Sequence, residues 1–164
     1  MEVQDPTNLL DFTNKTVFVT GSSRGIGAGI AKRFAAAGAN VVIHYKSHKE
    51  DALVVETEIN EFGGKTLLVC GDVSSYADVQ KMFAEIDEAF GVVDVMVNNA
   101  GIYPHADLLQ MTEEEWDEML DISLKSVFLC TQAAARSMVD AGKKGAIVNI
   151  SSLSAINPAP GHCH

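Results

Sequence analysis

Three features of the sequence predict a doubly wound α/β fold with a parallel sheet. Short segments rich in Val and Ile are apolar on almost every residue, amphipathic segments alternate strictly with them, and a glycine-rich turn follows the first. A strand covered on both faces reads as an unbroken apolar run, because neither face meets water. Right-handed crossovers through the intervening helices then lay successive strands parallel.

Thr16 to Thr20, Asn40 to Tyr45, Thr66 to Cys70, Val92 to Val97 and Ala146 to Ser151 read as the five strands. The first helix carries Ile26, Ile30 and Phe34 at a spacing of four and stops at Gly38. The second, His48 to Phe62, ends at the Gly63-Gly64 pair. The third takes Ser74 or Ser75 as its N-cap and presents Val79, Met82, Phe83, Ile86 and Phe90 before Gly91. The fourth opens with Thr112 and Glu115 at capping-box spacing and runs to Asp140. At 1.5 Å per residue it spans about 40 Å, more than a small sheet needs. Its excess suits a partner subunit, so a homo-oligomer built through helix 112–140 is expected.

A length of 164 residues suits one domain, 1–164, with a substantial core. The net charge of -10, from 22 acidic and 12 basic residues, repels phosphate backbones and argues against a nucleic-acid partner. It does not exclude a small anionic cofactor held by local donors. Cys70, Cys130 and Cys163 are odd in number and far apart, which argues against a disulfide framework and for a reducing cytoplasm. Cys70 and Cys130 sit in apolar stretches, where a thiol serves as a small buried hydrophobe. Residues 1–10 carry no signal pattern and no apolar run has membrane-spanning length, so a soluble chain without a membrane partner is expected.

In such folds ligands bind beyond the carboxyl ends of the strands. After the first strand comes Thr20-Gly21-Ser22-Ser23-Arg24-Gly25-Ile26-Gly27. Its glycines let the backbone turn sharply and approach a pyrophosphate near a helix N-terminus. Strand before and helix after are the context that such a motif requires. The second strand ends His44-Tyr45-Lys46-Ser47, without the carboxylate that a free ribose diol would meet; Glu50 and Asp51 come later. Arg24 and Lys46 are either partners for a 2′-phosphate or solvated surface cations. The first alternative favours NADP(H), with NAD(H) also accepted.

The TGxxxGIG spacing resembles that of the short-chain dehydrogenase/reductase family. The resemblance continues through Asp72-Val73, Asn98-Asn99-Ala100-Gly101 and Asn149-Ile150-Ser151-Ser152, in the family's order and over essentially the whole chain. It implies a Rossmann-type domain, incomplete at its C-terminal side. The cofactor would then be held by Gly21, Ser22, Ser23, Arg24, Gly25, Ile26, Gly27, Tyr45, Lys46, Ser47, Asp72, Val73, Asn99, Ala100 and Gly101. In that alignment Asp72 receives the adenine amino group; the plainer reading is an aspartate that starts a helix. Asn98 is read as support for the sheet. Tyr103, just beyond, either touches substrate or packs.

The resemblance also implies catalytic roles. Ser152 aligns with the serine that holds the substrate oxygen, with Ser151 as the alternative register. Ser123 takes the place of a family asparagine that helps hold a proton-relay water. The family's YxxxK tyrosine would fall on the first residue after His164; Tyr45, Tyr76 and Tyr103 are the only tyrosines, and none begins that motif. His162-Cys163-His164 is not expected to bind metal, because adjacent ligands alternate direction and no complete shell lies nearby. With Ile147, Val148 and Ile150 apolar, the fifth strand would stand as an exposed, aggregation-prone edge. A deletion, a cut or incomplete ordering of a longer enzyme are the three readings this leaves open. The expected activity is interconversion of a small alcohol and a carbonyl by hydride transfer. Parts of the chain are similar to sugar (glucose) dehydrogenases and to 3-oxoacyl-thioester reductases of the family. The alternatives are an inactive nucleotide-binding fragment or a subunit-interaction module.

Overall fold

The computed structural model describes residues 10–61, 63–157, 160–161 and 164. Five parallel strands form one sheet in the order β3-β2-β1-β4-β5. They are β1 (Thr16–Val19), β2 (Asn40–Tyr45), β3 (Lys65–Cys70), β4 (Val95–Asn98) and β5 (Ala146–Asn149). Helices α1 (Gly25–Ala36), α2 (Lys49–Glu61) and α3 (Tyr76–Phe90) connect the first four. Between β4 and β5 run α4 (Glu113–Leu120), a π-helical turn (Asp121–Lys125) and α5 (Ser126–Asp140). The strand order reverses direction between β1 and β4, which makes the carboxyl ends of these two strands the switch point where such sheets bind ligands.

Alternation along each strand divides the core between the two faces. Val17, Val19, Val41, Ile43, Val95 and Val97 pack with Ala28, Ala31 and Ala35 of α1 and Ala52, Val55 and Ile59 of α2. Phe18, Val42, Val69 and Met96 meet Val79, Met82 and Ile86 of α3 and Leu129, Cys130, Ala134 and Met138 of α5. All four residues of β1 and of β4 are buried, as their unbroken apolar sequences require.

Several sequence expectations are sharpened here. The buried face of α1 is Gly27, Ala28, Ala31 and Ala35, whereas Ile26 is 71% exposed. Small residues let this helix lie close to the sheet, and the larger Ile26 is left to face the cleft described below. Ser75 caps α3, its hydroxyl accepting the Asp78 N–H. The capping box forms as its spacing predicts, with Thr112 N–H donating to Glu115 at 2.8 Å and Glu115 N–H to the Thr112 hydroxyl at 3.2 Å. The helix after it is not a uniform α-helix, because the π turn widens it by one residue at Asp121–Lys125. The fourth strand starts at Val95, since Asp94 is used in the preceding loop, accepting from the Thr16 N–H and from Lys15. Burial pushes the Cys130 thiol up to about 12, so this sulfur is an inert core atom. Cys70, expected to be buried, is exposed at the end of β3 and donates toward the Lys46 carbonyl. Phe62, His162 and Cys163, named above, lie outside the described residues. No helix among the described residues is long and apolar enough to cross a membrane.

Candidate functional site

A cleft of about 390 Å³ opens beyond the carboxyl ends of β1, β2, β3 and β4. That volume lies in the range of small-molecule sites. The turn after β1 forms its floor. Gly21 adopts φ +63, and a Cβ there would come within 3.0 Å of Ala100 Cα. At Gly27 a Cβ would run into the Gly21 carbonyl oxygen and the Asn99 amide nitrogen. The motif's glycines therefore permit a close approach of three backbone segments, and the turn ends at the N-terminus of α1, whose dipole favours an anion.

The turn is held from both sides. The Thr20 hydroxyl accepts the N–H groups of Asn99 and Ala100, each at 3.0 Å. Asn99 Nδ2 donates back to the carbonyls of Thr20 (2.9 Å) and Gly21 (3.2 Å). Ser22 was grouped with the nucleotide contacts on sequence grounds, but it faces the interior. It is fully buried, its hydroxyl donates to the Val19 carbonyl at 2.7 Å and accepts the His44 N–H at 2.9 Å. It ties the turn to β2 and is not part of the cleft lining. Gly25 opens α1 and is likewise not part of the cleft lining. The other thirteen expected cofactor residues all line the one cleft: Gly21, Ser23, Arg24, Ile26, Gly27, Tyr45, Lys46, Ser47, Asp72, Val73, Asn99, Ala100 and Gly101.

The cleft's charged rim is built from β2 and β3. Lys46 Nζ stands 2.6 Å from Asp72 Oδ2, and Asp72 Oδ1 accepts the N–H (2.9 Å) and hydroxyl (2.6 Å) of Ser74. Partial burial works against the ionised carboxylate, but these donors and the Lys46 charge prevail and bring its pKa to about 2. The same contact raises the pKa of Lys46. Lys46 is thus shared with Asp72 and is not a solitary surface cation. Arg24 is exposed in the lining of the same cleft, and its guanidinium makes no hydrogen bond or ion pair among the described residues.

Ser152 lies farther along, after β5. It is exposed and caps a short 3₁₀ turn (Leu153–Ala155), accepting the Ser154 N–H at 3.1 Å. Tyr103 reaches this turn, with its hydroxyl 3.5 Å from Ser154 Oγ. Ser123 sits inside the π turn, its hydroxyl directed to Met119 Sδ at 3.6 Å. Such insertions are frequent at functional sites, and the neighbouring Ile122 lines the cleft. Asn98 is structural: it is buried, and its amide bridges Thr131 (3.0 Å) and Asn149 (2.8 Å), tying β4 to α5 and β5. Sequence reasoning passed over Ile102, Ile122, His48 and His44 of the lining. For His44 the available signal was a titratable residue within the apolar run NVVIHY.

Residues 15–164 match the family described as short chain dehydrogenase. A 3-oxoacyl-[acyl-carrier-protein] reductase FabG from Staphylococcus epidermidis is 39% identical over 151 residues, covering 92% of this chain and 62% of that protein. The Staphylococcus aureus counterpart is 40% identical over 150 residues, covering 92% and 61%. Among solved structures, a short-chain type dehydrogenase/reductase from Mycobacterium marinum superposes with a TM-score of 0.90 at 37% identity, covering 93% of this chain and 62% of that one. A dehydrogenase/reductase from Sinorhizobium meliloti gives 0.88 at 34%, covering 96% and 62%. The chain thus spans about three fifths of the length of these relatives.

Proposed function

Because the chain belongs to the short-chain dehydrogenase family of oxidoreductases, we propose that its cleft binds NADP(H), accepts NAD(H) more weakly, and serves the interconversion of a small alcohol and a carbonyl. The carrying observation is that Gly21, Gly27, Asp72, Val73, Ala100 and Gly101, brought from three separate strand ends, line one cleft at the switch point of the sheet. The residues fit such a cofactor. A glycine-floored turn at a helix N-terminus suits a pyrophosphate, Asp72 offers an ionised acceptor to an adenine amino group, and Ala100 and Gly101 leave room beside Asn99. Arg24 and Lys46 stand where a carboxylate would otherwise meet the free ribose diol, which favours a 2′-phosphate.

When bound, the nicotinamide supplies or accepts a hydride. The chain's own residues bind, orient and exclude. The Ser152 hydroxyl has a lone pair and a proton left to hold a substrate oxygen, and Ser123 in the widened helix can hold a water. Relatives named as 3-oxoacyl-thioester reductases support a carbonyl substrate. A stripe of exposed apolar residues on the helix from Glu113 to Asp140, with Leu124, Phe128 and Val139, supports pairing between copies. The cysteine usage suits a cytoplasmic setting.

The 2′-phosphate assignment is tested with Arg24→Ala. NADPH affinity should fall about tenfold and NADH affinity less than about twofold, as for loss of one charge-assisted contact. Equal losses for both nucleotides would overturn it.

A further inference from the structure

The buried histidine of β2 belongs to neither the core nor the expected set of nucleotide contacts. His44 is 3% exposed, yet both of its ring nitrogens are hydrogen-bonded. Nδ1 lies 2.8 Å from the Gly21 backbone nitrogen, and Nε2 lies 3.0 Å from the Gly71 carbonyl oxygen. A backbone N–H can only donate and a carbonyl oxygen can only accept. Nδ1 must therefore be the acceptor and Nε2 the donor, which fixes the ring as the neutral Nε2–H tautomer. The main chain adds a second tie, with Ser22 N–H donating to the His44 carbonyl at 3.1 Å and His44 N–H donating to Ser22 Oγ. One side chain thus links the glycine-rich turn after β1 to the loop after β3, the two loops that carry the pyrophosphate and adenine ends of the cleft in the reading above.

We propose that His44 is a positioning residue for the nucleotide: its neutral Nε2–H ring clamps the glycine turn against the loop bearing Asp72, and protonation at Nδ1 releases the clamp. This rests on the reading of the cleft as a nucleotide site. A proton on Nδ1 would set two donors face to face at the Gly21 contact. A Cβ built on Gly21 would come within 3.0 Å of Ala100 Cα, so the turn has little space to relax on that side.

The surroundings keep the ring neutral. Burial pushes its pKa below the ordinary 6.5, opposed by the bond to Gly71 and by the charge of Asp72. The β1–α1 turn offers the neutral Ser22 and β1 the edge of Phe18, whose ring centroid is 6.3 Å away. On β2 itself, Tyr45 and Lys46 follow. From β3, Val69 stands opposite and Cys70 follows it. The loop beyond adds Asp72, neutralised by Lys46, and Asp78, which accepts the Asp72 N–H. The folded, nucleotide-ready state therefore binds fewer protons than the unfolded one just below pH 6.5. Its advantage is complete above 6.5 and is lost as pH falls through the depressed value.

The test measures NAD+ affinity by calorimetry from pH 8 to pH 5 and, on the same protein, the tautomer of His44 by long-range proton–nitrogen NMR. NAD+ is the probe because it lacks a 2′-phosphate that would itself titrate. His44→Asn is the comparison, since a carboxamide offers one acceptor and one donor but no titration. We expect an Nε2–H ring at pH 8. We also expect a fall in affinity that approaches about tenfold for each pH unit below the ring's midpoint, the limit for one proton, and a flat profile in the Asn variant. An Nδ1–H or charged ring at pH 8 overturns the proposal. So does a flat wild-type profile, or the same fall in the variant. If the variant does not fold, the wild type decides, because the midpoints of ring titration and of affinity must coincide. NAD+ binding at no pH overturns the nucleotide reading itself and the proposal with it, an outcome distinct from binding that ignores His44.

Discussion

β4 and β5 lie side by side in parallel register, Val95 opposite Ala146, Met96 opposite Ile147, Val97 opposite Val148 and Asn98 opposite Asn149. Their sequences, VMVN and AIVN, are nearly equivalent in polarity and shape. Every residue of β4 is buried and every residue of β5 is exposed. The difference therefore lies in the neighbours and not in the strands. β4 has β1 on one side, β5 on the other, and helices over both faces. β5 stands at the end of the sheet and pairs with β4 alone among the described residues. An apolar pattern states what a strand can tolerate, while burial is conferred by what packs on it. The central strands that carry the glycine turn and the Asn99–Gly101 segment are enclosed, while β3, which leads to Asp72, is an edge strand that buries only Val69. The end of the sheet that carries Ser152 leaves Ile147, Val148 and Ile150 at 36–43% exposure, an edge with the character of a pairing surface.

Four substitutions probe this contrast. The largest effect is expected at Gly27, where α1 meets the Gly21 backbone and the Asn99 side chain. Gly27→Ala forces a Cβ against the Gly21 carbonyl and the Asn99 amide, and should destabilise by about 3 kcal/mol in urea unfolding. The same chemical change at two register-paired positions comes next. Val97→Ala at 2% exposure should cost about 2 kcal/mol, and Val148→Ala at 43% less than about 1 kcal/mol. Equal costs would mean that β5 is covered as β4 is. The smallest effect concerns the rim. The shift of Asp72 from 3.8 to about 2 has a full value of roughly 2 kcal/mol, which solvent around the exposed Lys46 reduces to about 1 kcal/mol. This folded carboxyl lies below its unfolded value, so its stabilisation is present above pH 4 and disappears as pH falls toward 2. Stability curves for Asp72→Asn should lack that step.

Much of this was legible in the sequence, for a physical reason. Strands covered on both faces must be apolar throughout, so all five segments could be placed from composition, and each was found near its expected position. The glycine turn was legible because only glycine fits at Gly21 and Gly27. Other features depended on partners brought from far along the chain. The apolar spacing of Ile26, Ile30 and Phe34 drew attention to the large residues of α1, whereas close packing selected Gly27, Ala28, Ala31 and Ala35. The π turn at Ser123 adds one residue to a helix without changing the polarity pattern that marks it. Ser22 resembles a ligand contact in the motif and is turned inward by β2. His44 could be seen only as a polar interruption of β2, because its meaning depends on Gly21 and Gly71, which meet only when the sheet has formed.

In the proposed function the cleft at the switch point is a nicotinamide dinucleotide site floored by the glycine turn. Calorimetric titration of NADPH at pH 8 into the protein and into Gly27→Ala tests it most directly. We expect one saturable site per chain in the parent and at least about a tenfold loss of affinity in the variant, equivalent to 1.4 kcal/mol or more. No saturable binding to the parent, or equal binding by both proteins, would contradict it.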